Sequence, residues 1–131
     1  MVIVDTTVWV DYLRVTQTPQ TEWLGQEIDG QRLGLTDLNL CEVLQGVRDE
    51  REAVKVRRQL LKFEVWGTGG VELATAAVRN YRTLQSRGIA IRRTIDCLIA
   101  TYYLTHDHAL LHSDRDFVPL EQLLGLRAVH A

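Results

Sequence analysis

Residues 2–13 read VIVDTTVWVDYL. Val2-Ile3-Val4 is a β-branched run that predicts a short buried strand, and Asp5-Thr6-Thr7 supplies the polar cap of a helix on which Val8, Trp9, Tyr12 and Leu13 recur at helical spacing. A strand that ends in a carboxylate and feeds a helix is the unit from which α/β folds are built. The same grammar recurs along the chain. Leu33-Gly34-Leu35 predicts a second strand, Asp37 a cap, and Leu40, Val43, Leu44 and Val47 an apolar helix stripe with Glu42 outside it. After Pro19, Trp23, Leu24 and Ile28 mark a helix that runs to the Asp29-Gly30 turn. Residues 49–63 form a charged amphipathic segment, and Glu64-Val65-Trp66 a short strand before the glycine-rich turn at 67–70. A helix over 71–87 presents Ala74, Ala77, Val78, Tyr81 and Leu84 inward and stops at Gly88. Thr94 caps a further helix with Asp96 in its first turn and a stripe of Ile95, Leu98, Ile99, Tyr102 and Tyr103. Ala109-Leu110-Leu111-His112 reads as a strand ending at Ser113-Asp114-Arg115-Asp116, and Leu126 to Val129 as a final one. Strands alternating with helices imply a three-layer α/β/α sandwich with a mainly parallel sheet.

Composition agrees. The chain has 131 residues, 46% hydrophobic and 24% charged, with nine Gly and two Pro, which suits one globular domain over residues 1–131 and excludes disordered or collagen-like chains. No apolar run reaches the roughly 18–20 residues of a membrane span, and the N-terminus has no signal-peptide pattern, so a soluble cytoplasmic protein is expected. Cys41 and Cys97 are too far apart for a paired metal motif and are expected to be buried thiols. The net charge of −2 conceals an asymmetry: residues 48–93 hold 11 of the 15 basic side chains against five acids, leaving the flanks acidic. A basic middle beside acidic flanks is compatible with a polyanion lying next to a carboxylate cluster, or with helices that simply solvate their outer faces.

Ligands of parallel sheets bind at the carboxyl ends of the strands, and Asp5 and the pair Asp114/Asp116 both follow strands directly. Each acid taken singly has an ordinary explanation as a cap, a turn former or a solvated side chain. Several on one rim would suit a hard divalent cation, which takes oxygen ligands, keeps waters and activates water against a phosphodiester.

VIVDTTVWVDYL, LNLCEVLQG (38–46), TIDCLIATYYL (94–104) and LLHSDRDF (110–117) together resemble a PIN domain, and within that family a VapC-type toxin ribonuclease of a toxin–antitoxin pair. The likeness extends from Val2 to Phe117. It implies a PIN-like sandwich and Mg²⁺-dependent endoribonuclease activity, with Mn²⁺ as a possible substitute. Asp5, Glu42, Asp96 and Asp114 match the family's acidic quartet, and Asp116 is the additional acid of the terminal motif. In this picture Asp5, Asp96 and Asp114 or Asp116 hold the metal, Glu42 orients or deprotonates water, and Thr6 or Ser113 positions a ligand or phosphate. Arg92 and Arg93 are expected to contact substrate phosphates. The resemblance further implies an RNA substrate, a VapB-type antitoxin, a homodimer and no membrane association.

Other readings fit less well. A receiver domain requires a lysine after a late strand, whereas Lys55 and Lys62, the only lysines, lie in a charged helix. An aspartyl phosphatase requires two acids after the first strand, and Asp5-Thr6-Thr7 offers one. A catalytically silent binding module with a structural cation stays open, to be separated from the enzyme by metal-dependent turnover of RNA. His106, His108 and His112 read as two loop residues and one half-buried imidazole rather than a transition-metal site. Trp9, Tyr12, Leu13, Trp23 and Leu24 divide between core packing and a partner groove.

Overall fold

The computed structural model describes residues 1–91, 93–106 and 108–131. Among them, strands β1 (Val2–Val4), β2 (Leu33–Thr36), β3 (Glu64–Trp66) and β4 (Ala109–Leu111) form a parallel sheet in the order β3-β2-β1-β4. Helices α1 (Thr6–Leu13), α2 (Pro19–Glu27), α3 (Asp37–Gln45), α4 (Glu50–Leu60), α5 (Val71–Ser86), α6 (Thr94–Thr105) and α7 (Val118–Leu124) cover it, with a 3-10 turn at Arg115–Phe117.

Alternation along β1 sorts the core into two layers. Val2 and Val4 pack with Val8, Trp9, Leu24 and Val43 on one face, while Ile3 packs with Leu84, Ile99, Tyr103 and Phe117 on the other. This is the expected α/β/α sandwich. Because all its strands point the same way, Asp5, Thr36 and the turn after Leu111 share one edge. Gly34 is required where it stands, since a Cβ there would run into the Trp66 ring and the Glu64 carbonyl. No helix among the described residues is long and apolar enough to cross a membrane.

Several local expectations are corrected. Val78 and Tyr81 are 51% and 40% exposed, and Ala74 is exposed too. The helix α5 packs chiefly on α6, so burial is confined to a narrow stripe centred on Ala77 and Leu84, with Leu73 partly covered. Its neighbouring stripe lines an open groove of about 480 Å³ with Ile91 and Cys97. The expected final strand is a single parallel bridge, Leu110 to Ala128, held by Leu110 N–H to Arg127 O at 2.9 Å and Val129 N–H to Leu110 O at 2.8 Å. Thr36, rather than Asp37, caps α3 through a reciprocal box with Asn39. Thr94 is the first residue of α6, and Arg93 occupies the cap position. Cys97 is buried, its thiol directed at the Ala77 carbonyl, but Cys41 is exposed because it lies on the outer side of α3.

Candidate active site

Asp5 is the N-cap of α1, in extended backbone conformation, and its N–H continues the β1–β4 ladder by donating to Leu111 O at 2.9 Å. The carboxylate is almost fully buried, yet each of its oxygens is used. Oδ2 accepts from Thr7 N at 3.2 Å and Thr7 Oγ1 at 2.8 Å, and Oδ1 accepts from the Tyr103 hydroxyl at 2.9 Å. Burial pushes its pKa above the ordinary carboxylate value, and the bonds from Thr7 and Tyr103 oppose that shift. The Tyr103 phenol, also buried and facing a carboxylate, is pushed well above 10.

Glu42 projects from α3 toward the same edge. Its Oε1 accepts from Thr6 Oγ1 at 2.7 Å, and Oε2 lies 3.8 Å from Arg93. Its pKa is raised first by burial and then by the charges of Asp5 and Asp96, against the Thr6 bond and Arg93. Asp5 and Asp96 thus both lie near enough to Glu42 for their charges to act on it. Asp96 is gripped by Arg93, whose Nε and Nη2 each stand 3.1 Å from a carboxylate oxygen. Asp114 caps the 3-10 turn, accepting from Asp116 N at 2.9 Å, and its own N–H donates to His112 Nδ1 at 3.2 Å. Asp96, Asp114 and Asp116 line a common cavity of about 120 Å³. Ser113, though exposed, is tied to α1 through its N–H and Thr7 Oγ1 at 3.4 Å. The structure thus gathers Asp5, Thr6, Glu42, Arg93, Asp96, Ser113, Asp114 and Asp116 at one sheet edge. Arg92 lies outside the described residues.

As the side chains stand, no three acids, histidines or cysteines among the described residues converge tightly enough to enclose a bare ion. The donor chemistry nonetheless fits Mg²⁺. The site offers hard carboxylate oxygens, and that ion is usually held by one or two carboxylates with several waters retained. The charges of Asp5 and Asp96 that bear on Glu42 are ones a divalent cation would offset. The three histidines have structural partners instead. His106 stacks on Tyr102 with ring centroids 4.0 Å apart, His108 on Trp66 at 5.4 Å, and His112 lies 3.4 Å from Glu121.

Sequence reasoning missed Asn39 and the polar role of Tyr103. Asn39 is fully buried; its Nδ2 donates to Tyr103 Oη at 2.9 Å and to Thr6 Oγ1 at 3.0 Å. A Thr-x-x-Asn capping pattern at 36–39 was the available signal for the residue, but the partners of its amide come from α1 and α6. Tyr103 belongs to the apolar stripe of α6 and discloses its hydroxyl's task only once Asp5 is placed against it.

A carboxylate-lined edge of a parallel sheet, backed by hydroxyls and a buried amide, defines an acidic α/β site. The chain belongs to the PIN domain family, whose family model matches residues 2–121. It is 25% identical over 130 residues to VapC ribonuclease Mb1587 of Mycobacterium bovis and to Ribonuclease VapC11 of Mycobacterium tuberculosis, covering 98% of this chain and 97% of each relative. Its fold is also that of one chain in the crystal structure of VapBC2 from Rickettsia felis bound to a promoter DNA fragment, with a TM-score of 0.75, 16% identity and 98% of each chain covered.

Proposed function

We propose that the chain is the toxin of a toxin–antitoxin pair, an endoribonuclease that hydrolyses RNA phosphodiester bonds with a divalent cation. The observation that carries this reading is the gathering of Asp5, Glu42, Asp96 and Asp114 at one edge, with Asp5 held by the buried Tyr103 hydroxyl and Glu42 by the part-buried Thr6 hydroxyl. Asp5, Asp96 and Asp114, with Asp116 beside them, would hold Mg²⁺ or Mn²⁺. When bound, such an ion supplies Lewis-acid polarisation of the phosphoryl group and activation of water. Glu42, half-buried and raised in basicity, takes the proton of the attacking water. Thr6 keeps that carboxylate oriented, and Ser113 and Arg93 offer a hydroxyl and a guanidinium to the phosphate. Attack forms the new P–O bond as the bond to the leaving oxygen breaks.

The solved relatives that share the fold include toxin–antitoxin assemblies, among them VapBC2, which supports a VapB-type antitoxin as partner. A homodimer is part of the same reading. The test is RNA cleavage by the purified chain with and without Mg²⁺ or Mn²⁺. Cleavage should need the ion and vanish in Asp96→Asn without loss of fold. Turnover undiminished in excess EDTA overturns the metal mechanism; absence of turnover with any divalent ion supports a silent binding module.

A further inference from the structure

The hydrogen bonds around Asn39 have a polarity that one backbone group decides. The Thr36 N–H can only donate, so the Asn39 atom 2.9 Å from it is the amide oxygen, Oδ1. Thr36 Oγ1, which already accepts from Asn39 N at 3.1 Å, donates to that same oxygen at 2.8 Å. The amide nitrogen Nδ2 therefore faces the other way, and its two protons go to Tyr103 Oη and Thr6 Oγ1 at 2.9 and 3.0 Å. Each hydroxyl has one proton of its own. With an N–H arriving from Asn39, that proton points outward, from Tyr103 to Asp5 Oδ1 at 2.9 Å and from Thr6 to Glu42 Oε1 at 2.7 Å.

We infer that Asn39 is a positioning residue that fixes Asp5 and Glu42 together as hydrogen-bond acceptors, one through Tyr103 and the other through Thr6. The relay joins β2, α3, α1 and α6; Thr36, Asn39 and Tyr103 are 0%, 0% and 2% exposed, so water does not replace a lost link among these three, while the Thr6 branch is part-buried. Each carboxylate oxygen that accepts one O–H keeps a second lone pair. The relay thus sets the rotation of both acids while leaving acceptor capacity for a further partner. This inference rests on the reading of these acids as a cation-binding hydrolytic site.

The test is Mn²⁺ binding by the full chain, followed by electron paramagnetic resonance, in wild type, Tyr103→Phe, Asn39→Leu and Leu24→Ala. Loss of groups that orient metal ligands typically weakens metal binding or activity by about 10- to 100-fold. Tyr103→Phe and Asn39→Leu should each weaken Mn²⁺ at least about tenfold and lower kcat for RNA more than they raise KM. Leu24→Ala, a buried change in the opposite core layer, should lower Tm and leave Mn²⁺ affinity alone. Should Asn39→Leu fail to fold, Tyr103→Phe decides, because it removes one hydroxyl and keeps the ring. Mn²⁺ affinities within about twofold of wild type in the folded variants overturn the relay while leaving the cation site intact. A wild-type chain that binds no Mn²⁺ overturns the cation site itself, and the relay with it.

Discussion

Arg93 grips Asp96 through two nitrogens, each 3.1 Å from a carboxylate oxygen, and reaches Glu42 at 3.8 Å. It also feels the charge of Asp114, so one guanidinium sits in the field of three of the site's acids. Its side chain is 67% exposed, and an ion pair that open to water is weak and screened by salt. Arg93 is therefore a cation already placed at these carboxylates; on the proposed reading a divalent ion would take its place there and leave the guanidinium for a phosphate.

From this, Arg93→Gln should change two properties in opposite directions. Divalent-ion binding should tighten several-fold, since a competing positive charge is removed. At saturating divalent ion, in a Glu42→Gln background that prevents cleavage, RNA binding should weaken, and its dependence on the logarithm of salt concentration should flatten by about one phosphate contact. Calorimetric titration with Mn²⁺ and RNA binding across a salt series measure both. An unchanged salt slope would assign Arg93 to the acids alone.

The packing of Trp66 over Gly34 gives a purely structural prediction. A methyl group at position 34 meets an aromatic ring on one side and a backbone carbonyl on the other, and the strand is fully buried. Overpacking of this type costs roughly 1–3 kcal/mol. Gly34→Ala should lower the midpoint of urea unfolding correspondingly, with an unchanged slope. Stability equal to wild type would mean that the Trp66 ring moves aside freely.

The glycine-rich turn after β3 is anchored by Asp37, whose carboxylate accepts from Thr68 Oγ1 at 2.6 Å and from Thr68 N at 3.2 Å. Thr68 is buried, so Thr68→Val leaves an acceptor of Asp37 without its closest donor. A cost of about 1 kcal/mol is expected, together with faster amide exchange over residues 67–70. Exchange unchanged in this turn would show that backbone geometry alone holds it.

Much of this architecture was legible because each of its signals is local. A β-branched run closed by Asp5, and a clean 3.6-residue stripe on α6, fix an element and its inward face without reference to the rest of the chain. Alternation of such units dictates a parallel sheet, and parallel strands carry Asp5 and Asp114 to one edge across 109 positions of sequence. What escaped depends on relations that no local pattern encodes. Val78 and Tyr81 have the spacing of a buried stripe, yet only the placement of α6 decides which side of α5 is covered. Residues 126–129 have strand-like composition, but their pairing is limited to the single bridge at Ala128. The capping pattern at 36–39 accounts for one end of the Asn39 amide, but its partner Tyr103 stands 64 positions away on another helix.

Glu42 offers the sharpest test of whether the acids share one field, because the sign of its effect on stability is fixed. Its pKa in the folded chain lies above the ordinary value of 4.5, through burial and the charges of Asp5 and Asp96. As pH rises past 4.5 the unfolded chain releases this proton first, so over that window the native state binds more protons. Stability must then fall with rising pH, and above the folded pKa the full loss remains. Glu42→Gln keeps an oxygen to accept from Thr6 but carries no charge, so it escapes the loss. In EDTA its Tm should match that of wild type near pH 4 and exceed it by a few degrees at pH 7. Added Mg²⁺ should stabilise wild type more than the variant, closing the gap, since binding to the native state alone contributes RT ln(1 + [L]/Kd). A difference in Tm that does not vary with pH would place its cause in packing, and equal responses to Mg²⁺ would remove Glu42 from the field of the cation.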